Sequence, residues 1–173
     1  MRTLFARKFQ MSRQSATTVC DRNFKAVYLI VGKWGRHGDV LCVYAISGEL
    51  LAEIRQVGFG IFPRFNLYVG QRFIGKLRRY RLGKKDLLFI KELNWFIIGD
   101  LYSFNYRIFK GRLEVMKLKE VLLANGHFLE LEVANQTDEP LCLCVVAILD
   151  YIARKPVGKF KENYSLKINL DSN

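Results

Sequence analysis

The sequence predicts a mainly β protein (α+β) in which a closed, twelve-stranded antiparallel barrel of serial hairpins surrounds one buried apolar C-terminal helix. About twelve short segments alternate apolar and polar residues, which is typical of half-buried strands. Leu141–Leu149 is an unbroken run of nine apolar residues, well short of the roughly 20 that cross a bilayer. A helix that is apolar on every side must be surrounded by protein. A sheet closed around it would bury both apolar surfaces and leave no exposed edge.

The predicted strands fill most of the chain before residue 135. Their linkers are short and contain Gly, Asn, Asp or Ser, and short linkers join antiparallel neighbours as hairpins. The predicted strands are residues 4–10, 16–20, 24–31, 39–45, 50–57, 64–69, 72–81, 86–91, 94–98, 102–108, 111–119 and 126–134.

The helix is predicted at about residues 138–154. Thr137 and Asp138 are N-cap candidates, and Pro140 is tolerated in a first turn. Pro156 stops the helix. At 1.5 Å per residue the apolar stretch is about 20 Å long, which is close to the height of six-residue strands.

A hairpin of about 16 residues repeats, at residues 41–56, 65–79 and 104–119. The third copy does not hold the alternation in its second strand, which predicts a bulge or a misalignment there. The sets predicted to share one face are Leu50, Ala52 and Ile54 in the first copy, and Phe73, Gly75 and Leu77 in the second.

The length of 173 residues fits one domain. We assign residues 1–155 to the barrel with its central helix. Residues 156–173 are expected to be a C-terminal tail or a short added strand, because YSLKINL alternates.

The chain is basic, with 28 Lys and Arg against 16 Asp and Glu. Residues 1–85 hold 17 basic and 4 acidic side chains, whereas residues 86–173 hold 11 basic and 12 acidic ones. The excess positive charge therefore lies in the first half. Such a surface attracts polyanions, including nucleic acid and anionic lipid; the alternative is that it only keeps the protein in solution.

Residues 76–85 hold the densest basic cluster, six residues in ten. Alternation places Lys76, Arg78 and Tyr80 on one side of a strand and Arg79 and Arg81 on the other. Guanidinium groups suit phosphate oxygens, so we predict a site for anions or lipid headgroups. The alternative is a solvated strand end that discourages edge pairing. The candidate site residues are Lys76, Arg78, Arg79, Arg81, Lys84 and Lys85, with Arg55, Arg64 and Arg72 on neighbouring predicted strands.

No motif for catalysis or a cofactor stands in the sequence: there is no nucleophile elbow, Walker A sequence, zincin motif or dinucleotide fingerprint. His37 and His127 are far apart, and nothing marks a carboxylate partner for either. We therefore expect a protein that is not an enzyme and that has no cofactor.

The four cysteines are expected to be free thiols in a reducing cytoplasm, since the first residues carry frequent charges and no apolar signal segment. Cys142 and Cys144 lie inside the apolar run and are expected to be small buried side chains. Zinc binding that also uses Cys20 and Cys42 is disfavoured, because paired C-x-x-C spacing is absent. We expect no metal site and no transmembrane segment.

The serial hairpins Thr17–Trp34, Leu41–Gln56, Phe65–Arg79 and Tyr102–Leu118, followed by Leu129–Ile152, resemble those of LURP-one-related proteins. The bacterial branch of that family is the YxjI-type group, within the tubby C-terminal-like superfamily. The resemblance covers roughly residues 4–155 and implies a twelve-stranded barrel plugged by its last helix. One departure is visible: residues 45–48 read Ala-Ile-Ser-Gly where the family commonly has Asp-x-x-Gly.

The resemblance implies a direction for function. Tubby domains bind phosphoinositide headgroups through basic side chains, and the related scramblase group is associated with membranes. We therefore expect a non-enzymatic binding module, cytoplasmic or peripheral at a membrane, that engages anionic phospholipid headgroups through the basic face of residues 1–85. The alternatives are nucleic acid, with Tyr68, Phe73 and Tyr80 available to stack on bases, and a protein partner. Against nucleic acid, these aromatics are expected in the core.

Overall fold

The computed structural model describes residues 1–8, 16–32, 38–58, 64–82, 85–100 and 103–154. The predicted tail, residues 156–173, lies outside them. Helix α1 spans Glu139–Arg154 and follows a 3-10 turn at Gln136–Asp138. The strands are β1 Arg2–Arg7, β2 Ala16–Cys20, β3 Ala26–Gly32, β4 Val40–Ala45, β5 Leu50–Gln56, β6 Phe65–Val69, β7 Arg72–Leu82, β8 Lys85–Ile90, β9 Trp95–Asp100, β10 Asn105–Lys110, β11 Leu113–Leu123 and β12 Gly126–Val133.

The strands form one closed barrel in chain order, with every neighbour antiparallel and β1 paired to β12. The predicted fold class is confirmed, and each predicted strand has its counterpart. We call the end where β12 finishes and α1 begins the entry end; β1 starts there at Arg2, opposite Val133. The opposite end, where Arg7 pairs with Phe128, is the exit end.

Helix α1 fills the barrel interior. Every residue from Leu141 to Leu149 is at most 8% exposed, and Cys142 to Ile148 are all at 0%. Cys142 and Cys144 are free thiols, as expected, and burial raises the pKa of both. The helix therefore has protein on every side, which is what its apolar surface requires.

A buried carboxylate joins the helix to the barrel at the entry end. Glu139, the first helical residue, is fully buried. Its Oε2 accepts a hydrogen bond from the Tyr28 hydroxyl at 2.5 Å and lies 3.3 Å from a guanidinium nitrogen of Arg2. Burial and the hydrogen bond to Glu139 raise the pKa of Tyr28. These contacts tie β1 and β3 to the start of α1.

Four hairpins share a bulge just after the entry-end turn. The second strand has one extra residue in the hairpins β2–β3, β4–β5, β6–β7 and β10–β11. The bulge predicted for the third repeat is therefore present. The extra residues are Val27, Leu51, Ile74 and Val115, and each packs into or against the core.

Two of these bulges contradict the prediction of which residues share a face of the sheet. Because Ile74 is inserted, Phe73 pairs with Tyr68 on the outer face, is 44% exposed, and packs edge-on against that ring. Because Leu51 is inserted, Leu50 pairs with Tyr44 instead of continuing the inward row of Ala52. A one-residue insertion reverses the side to which the preceding residues point.

We expect Val145→Asp to prevent folding. Val145 is fully buried in the middle of α1, and a buried unpaired charge costs several kcal/mol. Circular dichroism and thermal unfolding would measure the loss. The control is Leu122→Asp, at an exposed position of β11, which should fold normally. A folded Val145→Asp protein would contradict the plugged barrel.

We expect Tyr28→Phe to lower the free energy of unfolding at pH 7 by about 1–3 kcal/mol, because the buried carboxylate of Glu139 loses its hydroxyl donor. The raised pKa of Tyr28 adds a pH signature. Its contribution is complete below pH about 10, the unfolded pKa, and is lost as pH rises through the folded value. In urea titrations from neutral to alkaline pH, the free energy of unfolding should therefore decline less steeply with pH for Tyr28→Phe than for the wild type. Equal declines would contradict the assignment.

Candidate functional site

Strand β7 carries the centre of the predicted basic site. It is eleven residues long, or about 35 Å at the usual rise per residue. Lys76, Arg78 and Tyr80 are exposed on its outer face, and Leu77 between them is fully buried. The predicted alternation is therefore correct for this part of the strand, and it directs two cations and one aromatic ring outward.

The backbones of three further residues of the cluster, Arg79, Arg81 and Lys85, lie toward the exit end. Arg79 is half-buried. The backbones of Arg81 and Lys85 pair with Asp86 and Leu82 where β7 and β8 meet. Lys84 lies outside the described residues.

Arg64 adjoins this site, whereas Arg72 does not. Phe65 pairs with Leu77, so the antiparallel register places Arg64 level with Arg78. Arg72 sits beside the entry-end turn, opposite Val69, roughly 13 Å along the strand from Lys76. Both Arg64 and Arg72 are exposed. Among the predicted residues whose side chains the structure describes, Lys76, Arg78 and Arg64 therefore form a compact group, and Arg72 lies apart from it.

Arg55 is level with Lys76 through Asn66, but its partly exposed guanidinium already has partners on the barrel surface. It donates to the Glu53 carboxylate at 2.5 Å and lies 4.7 Å from the centre of the Tyr68 ring. Glu53 is only 8% exposed. Arg55 thus neutralises a buried carboxylate, a role that residue spacing alone does not reveal.

Lys76 and Arg78 differ from the cations on the other side of the barrel. Within the described ranges, neither side chain has a carboxylate at ion-pair distance; Glu92 accepts a hydrogen bond from the backbone amide of Lys76 at 3.1 Å. On β10–β12 three outward cations are paired with carboxylates instead. The ion pairs there are Arg107–Glu114 at 3.5 Å, Lys117–Glu114 at 3.2 Å and Lys119–Glu130 at 3.1 Å.

Two aromatic rings stand beside the exposed cations. Tyr80 is 48% and Phe73 is 44% exposed. The expectation that these rings lie in the core is wrong for both, because of the outward position of Tyr80 on β7 and the bulge at Ile74. The site therefore offers apolar surface as well as positive charge.

Among the described residues, His127 and the four cysteines give no second site. His127 is exposed, and its Nδ1 lies 2.8 Å from Glu120 Oε1; His37 is outside the described residues. Hydrogen bonds from Lys8 and His127 outweigh partial burial and hold the pKa of Glu120 below its ordinary value. In the part of the chain that the structure describes, no three His, Cys, Asp or Glu side chains are grouped to hold a metal ion.

The sequence profile of the LURP-one-related family matches residues 2–150, nearly the whole barrel and helix. The chain belongs to the LURP-one-related family. It is 25% identical over 149 residues to the uncharacterized protein YxjI of Bacillus subtilis (strain 168), covering 86% of this chain and 92% of YxjI. The family assignment made from the hairpins is confirmed.

A solved structure supports the same fold for this LURP-one-related protein. The X-ray structure of a protein from Arabidopsis thaliana superposes with a TM-score of 0.61 at 14% identity, covering 88% of this chain and 93% of that one. At this identity the likeness concerns the fold alone. Among the described helices, none has the length and apolar character needed to span a membrane.

We expect Arg55→Gln to lower the free energy of unfolding by about 1 kcal/mol, because the largely buried Glu53 carboxylate loses its charged partner. Arg78→Gln, which removes an exposed cation from the next strand but one, is the matched control and should change stability by less than about 0.5 kcal/mol. Urea denaturation measures both. Equal stability of the two variants would show that the Glu53–Arg55 pair has no structural weight.

Proposed function

We propose that this protein is a non-enzymatic binding module that docks on anionic phospholipid headgroups through the outer face around β7. The observation that carries the proposal is the pair of exposed cations on that strand, Lys76 and Arg78, which have no carboxylate partner among the described residues. Arg64, level with Arg78, extends the group.

Cations that are not already neutralised are the ones that bind an external anion. A basic residue close to an anionic leaflet contributes about 1 kcal/mol, and salt screens the attraction. Lys76 and Arg78 lie on one strand, two residues apart, so their side chains project in the same direction and can approach a flat surface together. Guanidinium groups also match phosphate oxygens in geometry.

A role outside catalysis accords with the filled interior. Enzyme sites are usually concave and enclosed, whereas α1 occupies the barrel and its residues from Cys142 to Ile148 are fully buried. The outward faces of the strands are therefore the surfaces available for binding. We propose a protein that attaches to a membrane surface peripherally, from the cytoplasm.

Nucleic acid is the second candidate, favoured by one observation. The exposed rings of Phe73 and Tyr80 flank the cations of β7, and aromatic rings next to positive charge can stack on bases of single strands. A gel shift with single-stranded DNA or RNA at low salt tests it. Loss of the complex in Tyr80→Ala would favour stacking, and the absence of any complex would reject this candidate.

We expect Lys76→Gln/Arg78→Gln to bind anionic vesicles about thirtyfold more weakly than the wild type, from two contributions of about 1 kcal/mol each. The measurement is co-sedimentation with phosphatidylserine–phosphatidylcholine vesicles across a salt series, with phosphatidylcholine alone as the neutral reference. Wild-type binding should fall as salt rises.

The control is Arg22→Gln/Lys25→Gln, which removes the same charge from two exposed residues at the β2–β3 turn. It should bind almost as tightly as the wild type. If both double variants bound vesicles equally weakly, binding would depend on the net charge of the protein and not on one particular face. Unchanged binding of Lys76→Gln/Arg78→Gln would reject β7 as the docking strand.

A further inference from the structure

The outer faces of β8 and β9 are apolar along the middle of the strands. Leu88 and Ile90 on β8, and Trp95 and Ile97 on β9, point into the barrel and are at most 2% exposed. The residues that alternate with them and point outward are also apolar: Leu87 and Phe89 on β8, Phe96 and Ile98 on β9. Antiparallel strands with one face on water normally alternate with polar residues. Two neighbouring strands that are apolar on both faces indicate that their outer side meets something other than water.

The strand register assembles these side chains into one surface. Phe89 pairs with Phe96, whose neighbour on the far side is Phe109, and the Phe89 and Phe96 ring centres are 4.5 Å apart. Beside this row, Leu87 lies between Tyr80 and Ile98. We call the six residues the apolar patch: Tyr80, Leu87, Phe89, Phe96, Ile98 and Phe109. It crosses four strands, or about 15 Å.

Three of the six side chains of the apolar patch are exposed to solvent. Tyr80 is 48%, Ile98 44% and Phe96 38% exposed, and the remaining three side chains are half-buried. The cationic site continues directly into the patch, because Arg78 pairs with Phe89 in the same outward row. Positive charge and aromatic surface therefore share one face of the barrel.

We propose that the apolar patch inserts into the interfacial region of the anionic bilayer whose headgroups Lys76 and Arg78 contact. This inference rests on the proposed function and adds a second component to it. Aromatic and aliphatic side chains are stabilised at the boundary between headgroups and acyl chains. The cations would select the anionic surface, and the patch would hold the protein there.

Charge argues against a second copy of this chain as the occupant. Lys76 and Arg78, the exposed charges of β7 beside the patch, are both cations. If two copies docked through this face, their cations would lie opposite each other, which is unfavourable. An anionic bilayer instead complements the cations and offers an apolar layer beneath the headgroups. Acidic protein surfaces lack that layer, so the combination on this face favours the membrane.

The two components of binding respond differently to salt. Electrostatic attraction is nearly abolished at about 1 M salt, where the screening length is about 3 Å. Burial of apolar surface is not weakened by salt in this way. We therefore expect part of the wild-type protein to stay on anionic vesicles when complexes formed at low salt are washed at high salt. The patch should be responsible for that fraction.

The test compares the full chain with Phe96→Thr/Ile98→Thr, in which threonine keeps strand propensity at two exposed positions. Vesicles of phosphatidylserine and phosphatidylcholine are bound at low salt and washed at about 1 M. We expect the variant to retain about tenfold less protein than the wild type. The matched control, Leu113→Thr/Leu122→Thr, removes two side chains that are each 73% exposed on β11, and should behave as the wild type.

A second measurement reports insertion with a label in place of one patch residue and the other five residues kept. An environment-sensitive NBD label is placed at Phe96→Cys, with Cys20→Ser and Cys42→Ser; the other two cysteines are fully buried. Anionic vesicles should shift its emission to the blue, and the label at Leu122→Cys in the same background should not shift.

Three results would overturn the inference, and they are distinguishable. If Lys76→Gln/Arg78→Gln weakens vesicle binding while Phe96→Thr/Ile98→Thr does not and the label at position 96 stays unshifted, the proposed function stands and insertion is wrong. If the wild type binds no vesicles, both fail. If sedimentation velocity without lipid shows a dimer that Phe96→Thr/Ile98→Thr dissociates, the occupant is a second copy.

Discussion

The structure depends on the need to cover a helix that is apolar on all sides. A helix on the surface of a domain buries one stripe, but α1 has side chains at no more than 1% exposure from Cys142 to Leu149. Only a surrounding layer removes all of that surface from water. Twelve antiparallel strands closed in chain order supply the layer and at the same time leave no unpaired sheet edge. The helix and the barrel therefore depend on each other for stability, since neither can bury its apolar surface alone.

This constraint also fixes details at the entry end. The four bulges send Val27, Leu51, Ile74 and Val115 into or against the core near the hairpin turns. At the same end, the Glu139 carboxylate accepts a hydrogen bond from the Tyr28 hydroxyl and forms an ion pair with the Arg2 guanidinium. A carboxylate at a helix start is favourable for the helix dipole, and here it also bridges two strands. The bridge anchors α1 to β1 and β3, so the helix and the sheet are joined by polar contacts as well as by packing.

Much of the fold could be predicted from the sequence because alternation and the apolar run report burial directly. All twelve strands and the helix are predicted close to their observed bounds, and simple alternation correctly places Lys76, Arg78 and Tyr80 on one side of β7. The errors have physical reasons. The prediction that Phe73 shares a face with Leu77, and Leu50 with Ile54, is wrong because a bulge adds a residue without a marker in the sequence. The Glu53–Arg55 pair does not follow from the sequence, because a carboxylate on the outer face is expected in water, whereas Glu53 is only 8% exposed opposite Tyr68.

A barrel with a filled interior must act through its outside, and the outside is not uniform. From β10 to β12 three cations have carboxylate partners at 3.1–3.5 Å, so that side has less unpaired charge to attract a partner. Around β7–β9 the exposed cations lie next to exposed aromatic and aliphatic side chains. Stability does not call for this arrangement, because polar residues on the outer faces of β8 and β9 would leave the core unchanged. An arrangement that the core does not require, and that leaves apolar surface in water, is best explained by a partner that is both anionic and apolar.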